Sequence, residues 1–314
     1  MGYKEYIKKV FLLISFLLFG IGSFNLFMDS FWTFNHSHRF NRLQAGSNER
    51  QQKTNMVYFR DFDYDSVLLG SSRITYFNQN DFKNMKVFNY SVSIMMPQEY
   101  SAYIEFAKKR RGKDFKNIII GLDFFGSNKN YHTPDNLASD KIIDNTTSFG
   151  YRYKILFSID VLRNSINNLY RSLFNKISYR SYNRYNVALT QNWTEEEVEK
   201  RVKAINLDNA IAMQNYEYDE NLIHTLSLLK EKNPNSKFIV FATPVSSYYY
   251  NLLMDNGMKK DYEKWLKDIK TVFPNMKNFM VLDSLTINYT KNFIDYHHLR
   301  PKVCKQVIDK ILDD

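Results

Sequence analysis

At 314 residues with 44% hydrophobic content, the chain is long enough to bury a sizeable core, as one large domain or two small ones. Its single cysteine, Cys304, excludes an intramolecular disulfide and a cysteine-rich zinc site. The formal net charge of +10 would suit a polyanionic partner, but the charges are scattered, and no zinc-finger, RNA-recognition or helix-turn-helix pattern accompanies them. Nucleic-acid binding is therefore disfavoured.

The first predicted element is a transmembrane helix over residues 10–28. None of these 19 residues is charged, and at ~1.5 Å per residue they reach about the thickness of a bilayer core. Three lysines lie within residues 1–9 and Asp29 follows the segment, so the positive-inside rule predicts a cytoplasmic N-terminus and an extracytoplasmic remainder, periplasmic or at the cell surface. A signal peptide cleaved after Gly22 is the alternative, although the apolar residues beyond that point favour a retained anchor.

Residues 29–56 are polar and rich in asparagine, glutamine and arginine, which predicts a juxtamembrane linker. His36 and His38 within this segment have the spacing of a metal-binding pair. Because no third ligand is in view, the linker interpretation is favoured over a metal site. We expect the remaining chain, residues 57–314, to form one α/β domain.

Short apolar runs rich in β-branched and aromatic residues alternate with helical patterns along this domain. Continuous apolar runs are typical of parallel strands that are covered on both faces. The alternation predicts an open, doubly wound α/β sheet, which binds ligands at the carboxyl ends of its strands. The predicted strands cover 66–70, 86–89, 117–123, 237–242 and 280–283, and helical spacing recurs at 100–107, 222–229, 262–272 and 301–311.

One long stretch interrupts the alternation. From residue 125 to about 215 no strand is predicted, and tyrosine, asparagine, arginine and serine dominate. Val198, Val202 and Ile205 lie at helical spacing, so we expect an inserted, mostly helical lid. Tyrosine and arginine suit sugar stacking and anion contacts, and packing of a basic insertion explains them equally well.

Two short motifs carry residues suited to nucleophilic catalysis. Gly70-Ser71-Ser72-Arg73 follows the first predicted strand, where the turn exposes a serine to the ligand crevice. Asp295 stands three residues before His298, just ahead of the last predicted helix. His298 could then take the Ser72 proton and return it to the leaving group, while Asp295 orients the imidazole and stabilises the imidazolium. Alone, each motif also fits an ordinary turn or helix cap.

Together and in this order, the motifs resemble the first and last blocks of the SGNH (GDSL-like) hydrolase superfamily. The similarity is greatest to its membrane-anchored branch, which includes DltD-like and AlgJ/AlgX-like proteins of cell-surface polymer modification. The resemblance implies a three-layer, flavodoxin-like sheet with a helical insertion. It also implies that Ser72, not Ser71, is the nucleophile, and that Asp295 and His298, not His297, are the acid and the base.

The two middle blocks of the family match less closely. The family usually has a glycine in its second block whose N–H lines the oxyanion hole, and here Ser93 or Ile94 stands at that point. Asn89, a few residues earlier in the same block, is a further candidate for an oxyanion or substrate contact. The third block normally supplies an asparagine, but this chain has Asp123, and an ionised carboxylate cannot donate to an oxyanion. Asp123 is therefore expected to orient a loop or bind substrate. Arg73 could hold an anionic group of the substrate or form a salt bridge at a helix start.

The resemblance implies an extracytoplasmic serine esterase or O-acyltransferase that acts on an envelope polysaccharide through an acyl-Ser72 intermediate. It implies no cofactor and no metal, and the expected partners are the polysaccharide, membrane lipid and an acyltransferase of the MBOAT type. The alternative is a catalytically weak or inactive polysaccharide-binding accessory subunit, which the missing glycine and asparagine favour. The acyl group, the polymer, the direction of transfer and the oligomeric state stay open.

Overall fold

The computed structural model describes residues 2–313, which divide into two compact units. Within the described residues, unit 1 consists of 2–61 and Lys141–Thr190, and unit 2 of Phe62–Asp140 and 191–313. Each unit thus combines two separate stretches of sequence. This division differs from the expected single domain over 57–314, because the middle of the predicted insertion belongs with the N-terminal residues.

The strands, in chain order, are β1 Gln44–Ala45, β2 Ser66–Gly70, β3 Val87–Asn89, β4 Asn117–Leu122, β5 Ser181–Tyr182, β6 Ala188–Leu189, β7 Lys237–Ala242 and β8 Lys277–Asn278. The α-helices are α1 Tyr3–Met28, α2 Glu49–Phe59, α3 Tyr100–Arg111, α4 Ser139–Thr147, α5 Tyr151–Lys154, α6 Ile159–Phe174, α7 Glu195–Lys203, α8 Leu222–Glu231, α9 Ser247–Leu253, α10 Lys259–Val272, α11 Ser284–Ile287, α12 Tyr289–Asn292 and α13 Pro301–Leu312.

Unit 2 is built on a parallel five-stranded sheet in the order β3-β2-β4-β7-β8. The side chains of 67–69 and 118–120 have no exposed surface. Because successive strand residues point to opposite faces, both faces of the sheet are covered. The order corresponds to 2-1-3-4-5, which is that of flavodoxin-like doubly wound sheets. The predicted α/β class with a parallel sheet is confirmed.

Four of the five predicted strands lie within one residue of their expected bounds, and the fifth was misplaced. The run 280–283 is not a strand, because β8 ends at Asn278. Met280 instead accepts a hydrogen bond from the Tyr262 hydroxyl, and the Asp283 carboxylate caps α11 by accepting from Leu285 N at 3.0 Å. An apolar run can be buried by a turn as well as by a strand, and the sequence pattern does not separate the two.

The helix α1 is long and apolar enough to cross a membrane. Its residues from Tyr3 to Gly20 are exposed, and burial begins only at its last two turns, where Gly22, Asn25 and Met28 are buried. Beyond its end, Nε2 of His36 and His38 lies 3.0 and 2.8 Å from the carbonyl oxygen of Phe27. The ring nitrogens of the pair therefore meet a backbone acceptor.

The expected linker is folded. Within 29–56, α2 starts at Glu49 with an Asn48 side-chain cap, and its polar residues from Glu49 to Asn55 are buried. The linker prediction fails here because polar side chains hydrogen-bond inside unit 1 instead of with water. Gln52 Nε2, for example, donates to the carbonyls of Ser30 and Ala45 at 2.9 and 3.0 Å. The insertion, expected without strands, also contributes β5 and β6 to an antiparallel sheet with β1.

Candidate active site

The carboxyl ends of β2 and β4 lie side by side, with Gly70 paired to Gly121. Both positions require glycine, because a Cβ at Gly70 would lie 2.5 Å from Ile74 Cγ1 and one at Gly121 would lie 2.3 Å from Ile74 Cδ1. Gly70 also has a φ of +150°, which L side chains rarely adopt. The chain can therefore turn sharply after β2, and Ile74 anchors the turn on the sheet.

Ser71 and Ser72 occupy different environments in this turn. Ser71 is buried, and its Oγ accepts a hydrogen bond from Arg73 N at 3.3 Å, which caps the short three-ten helix Ser72–Ile74. Ser72 is partly exposed, and its Oγ lies 2.9 Å from His298 Nε2. The structure thus brings together the serine and the histidine that the motifs predict, although 226 positions separate them in the sequence.

The loop between α12 and α13 holds Asp295 and His298 in fixed relation. A bridge between Phe293 and Leu299 closes the loop, and Ile294 N donates to the His298 carbonyl at 2.9 Å. Asp295 Oδ1 accepts from the backbone N–H of His298 at 2.8 Å, and its Oδ2 lies 2.8 Å from His298 Nδ1. With Nδ1–H directed at the carboxylate, Nε2 faces Ser72 as an acceptor.

Asp123 and Arg73 form a buried ion pair beside the serine. Arg73 Nη1 donates to Asp123 Oδ1 at 3.1 Å, and the Arg73 side chain is 6% exposed. The Thr243 hydroxyl, at the end of β7, also donates to the Asp123 carboxylate. Of the two roles open for Arg73, the structure shows the salt bridge, and Asp123 orients that guanidinium at the strand ends.

Asn89 serves the backbone instead of an open site. Its Nδ2 donates to the carbonyls of Ile74 and Phe77 at 3.1 and 2.8 Å, and its Oδ1 accepts from Ser91 N at 3.0 Å. The oxyanion or substrate contact considered for Asn89 is therefore replaced by a structural role, since the amide ties the loop after β3 to the serine turn.

Ser93 and Ile94 are half-buried in that same loop. Ile94 has a φ of +57°, a left-handed conformation that is a genuine outlier for a β-branched residue. The Thr133 hydroxyl lies 3.2 Å from the Ile94 carbonyl oxygen and 2.5 Å from a Glu99 carboxylate oxygen, and its one proton is shared between these two acceptors. These bonds stabilise a backbone shape that glycine would adopt without strain.

A cation that the sequence interpretation missed lies beside the triad carboxylate. Arg201, on α7, places Nη2 3.8 Å from Asp295 Oδ2, and its guanidinium stacks 4.3 Å from the centre of the Trp193 ring. Arg300 Nη2 donates to the Trp193 carbonyl at 3.0 Å, which ties this segment to the start of α13. No short-range pattern connects residue 201 to residue 295, so only the fold reveals the pair.

Aromatic rings lie beside the His298 imidazole and its neighbour His297. Tyr76 meets the His298 ring edge-on at 6.0 Å between centroids, and Tyr249 packs on Tyr296 at 4.9 Å. Burial raises the pKa of Tyr249 to about 12, and burial followed by the Asp295 charge raises the pKa of Tyr296. Both phenols are therefore neutral near pH 7 and add no charge around the triad.

Asp295, His297 and His298 also offer three possible metal ligand atoms within 4.8 Å of one another. The Asp295–His298 hydrogen bond already occupies one carboxylate oxygen and Nδ1, and His298 Nε2 faces Ser72. The Ser-His-Asp hydrogen bonds therefore account for the Asp295 and His298 ligand atoms of this group.

No protein-family model matches the chain, and no curated protein matches it significantly.

Proposed function

We propose that the protein is an SGNH-type serine hydrolase or O-acyltransferase with Ser72 as its nucleophile. The observation that carries the proposal is the continuous Ser72–His298–Asp295 hydrogen-bond chain, with contacts of 2.9 and 2.8 Å. Nucleophile, base and orienting acid stand in the order that acyl transfer requires. The 2-1-3-4-5 strand order supports the SGNH assignment, and so does the position of the two motifs. The serine follows β2, which is the first strand of the five-stranded sheet in sequence, and the histidine precedes the last helix, α13.

In the first half-reaction, Ser72 Oγ attacks the ester carbonyl while His298 Nε2 takes the hydroxyl proton. The tetrahedral intermediate collapses, the bond from carbon to the leaving oxygen breaks, and His298 returns its proton to the departing alcohol. Water or a sugar hydroxyl then attacks the acyl-Ser72, with the same proton transfers in the same order. Asp295 stabilises the imidazolium in both halves.

The family places the oxyanion hole at the loop that here contains Ser93 and Ile94. A glycine stands there in the family, and the left-handed φ of Ile94 matches a glycine conformation. We propose that main-chain N–H groups of this loop stabilise the oxyanion. Asp123 supplies no donor, and one missing donor typically costs about 2.7–4 kcal/mol in the transition state, so we expect slow turnover.

Location and substrate follow from the family and the charge pattern. The helix α1 would retain the protein in a membrane with the triad outside the cytoplasm. We propose an ester of an envelope polysaccharide as the acyl donor or acceptor, with a membrane acyltransferase of the MBOAT type as the partner. This step is by analogy with the family.

Fluorophosphonate labelling of the full-length protein in detergent tests the triad. We expect Ser72→Ala and His298→Ala to lower labelling at least about 100-fold, because the first removes the nucleophile and the second its base. His297→Ala, one position before the base, is the matched control and should label like the wild type. Equal labelling of all variants, or none in the wild type, would contradict an activated serine.

The accessory-subunit alternative is favoured by Asp123, which accepts hydrogen bonds where the family has a donor. It predicts a different result in two measurements on the same samples. Wild type and Ser72→Ala would bind an O-acetylated polysaccharide equally in calorimetry, and neither would react with the fluorophosphonate. Labelling of the wild type that Ser72→Ala abolishes would exclude this alternative.

A further inference from the structure

The helix α6 in unit 1 is amphipathic in the opposite sense to a helix of a water-soluble domain. Its inward side is mostly polar, with Ser165, Asn168 and Ser172 buried. Its outer face, which we define as Ile159, Ile166, Tyr170, Leu173 and Phe174, is mostly apolar, and these five residues are 52–62% exposed. The one charged residue at the same helical spacing is Arg163, whose side chain is 78% exposed and lies 3.6 Å from Asp160. In water, an amphipathic helix buries its apolar stripe and exposes its polar one.

Hydrogen bonds fix this orientation. Asn168 Oδ1 accepts from Ala45 N at 2.7 Å, and its Nδ2 donates to Gln44 Oε1 at 2.8 Å. One turn further along, Ser172 Oγ accepts from Leu43 N at 3.1 Å. Rotating α6 to bury its outer face would break these bonds and leave buried polar groups unsatisfied. The apolar side therefore faces outward as part of the folded structure.

The start of α6 is bonded to the far end of the apolar helix α1. Asn25 Nδ2 donates to the Leu156 carbonyl at 2.7 Å, and Asn25 Oδ1 accepts from Ser165 Oγ at 2.9 Å. Asn25 is 15 residues beyond Val10, so it lies ~23 Å along a span whose hydrocarbon core is about 30 Å thick. An amide at that depth needs protein partners, and α6 and the residues before it supply them.

We propose that the outer face of α6 lies in the interfacial layer of the phospholipid bilayer that α1 spans. The bonds to Asn25 carry α6 to the membrane boundary, and the lipid covers the apolar face that protein leaves exposed. Lys154 and Lys176, both exposed, flank this face, where they can reach anionic headgroups. The proposal depends on α1 as an anchor and not on any activity of Ser72.

Depth-dependent fluorescence quenching tests the contact. Cys304 is the only cysteine and is buried, so the wild type is the unlabelled control. Leu173→Cys on the outer face and Asp160→Cys, whose native side chain is 82% exposed on the same helix, are each labelled with an environment-sensitive dye. Both proteins are reconstituted in vesicles of equal parts phosphatidylcholine and phosphatidylglycerol that contain doxyl-labelled lipid.

We expect doxyl lipid to quench the Leu173→Cys dye at least about threefold more than the Asp160→Cys dye. Aqueous iodide should show the reverse preference. Equal quenching at both sites in vesicle-bound protein would overturn the proposal. Protection of the Leu173→Cys dye from iodide without quenching by doxyl lipid would also overturn it, because that result would indicate a second copy of the chain on the outer face. If the wild type does not bind vesicles, the proposed role of α1 as a membrane anchor is wrong. Normal fluorophosphonate labelling of the same protein would still support the catalytic triad.

Discussion

Asp295 accepts hydrogen bonds through both carboxylate oxygens and has Arg201 as a neighbouring cation at 3.8 Å. The positive charge of the guanidinium partly offsets the negative charge of the carboxylate, so the carboxylate stabilises the imidazolium less strongly. Arg201 is thus a positioning residue, because it contacts the Asp295 carboxylate, which in turn orients His298. Its side chain is 36% exposed, so solvent screens part of this effect.

Replacing Arg201 by glutamine should move the acid limb of the pH profile for fluorophosphonate labelling. Without the cation, the Asp295 carboxylate stabilises the imidazolium more strongly, so the neutral base forms only at higher pH. We expect the midpoint of the acid limb to move to higher pH by less than about one pH unit, measured from the labelling rate as a function of pH. Arg201→Lys should keep most of the wild-type profile, and Lys203→Gln on the same helix should not change it. An unchanged limb in Arg201→Gln would assign Arg201 a purely structural role.

Among the elements, α2 carries the most unusual burial. Lys53 has no exposed surface, and its ammonium lies 5.2 Å from the centre of the Tyr182 ring. Burial lowers the pKa of Lys53 from 10.5 to about 7, partly opposed by the charge of Glu49. Burial would raise the pKa of Glu49, but Arg180, Lys53 and Tyr182 hold it at about 2. The helix thus depends on a buried charge cluster within unit 1.

This cluster predicts a pH dependence of stability. Between about pH 7 and 10.5 the unfolded chain binds more protons at Lys53 than the folded chain, so the free energy of unfolding should rise with pH across that window. The thermal midpoint of the wild type should therefore increase by a few degrees between about pH 7 and pH 10, and Lys53→Met should remove this increase. Lys154→Met, at an exposed lysine of the same unit, should retain it. A rise that persists unchanged in Lys53→Met would contradict the buried-lysine origin.

Over the whole molecule, α1 combines two roles along its length. Residues 2–20 are exposed, whereas Gly22, Asn25 and Met28 in the last two turns, and Asp29 after them, are buried. Asp29 Oδ1 accepts from Thr33 N at 2.8 Å, and its Oδ2 pairs with Arg184 and with Arg60. One helix therefore combines an exposed apolar segment, the proposed anchor, with a buried end, and the boundary lies near Ile21.

Two truncations test this division. A chain beginning at Ile21 should bind vesicles at least about tenfold more weakly, because only the outer face of α6 would still contact lipid. Its thermal midpoint should not change, because the residues removed are exposed. A chain beginning at Ser30 should be less stable by about 3–5 kcal/mol, because Arg184 and Arg60 lose their buried carboxylate. Vesicle sedimentation and thermal unfolding measure the two effects. Equal stability of both chains would contradict the structural role of Asn25 and Asp29.

The sequence by itself determined the features that depend on local pattern. The long apolar helix α1 follows from the length of its hydrophobic run, and the strands at 66–70 and 237–242 follow from short apolar runs that the parallel sheet buries. The order of the serine and histidine motifs also indicated which side chains to bring together. Polar composition misled at 29–56, because a buried hydrogen-bonded helix and a solvated linker use the same residue types.

Only the tertiary structure decided the features that depend on distant partners. The Arg73–Asp123 pair, the Arg201–Asp295 contact and the inward polar side of α6 each join residues that no local spacing connects. The same is true of the split of the predicted insertion between two units. A side chain's charge and size are local properties, but whether water, lipid or another side chain satisfies them is set by which segments fold against each other.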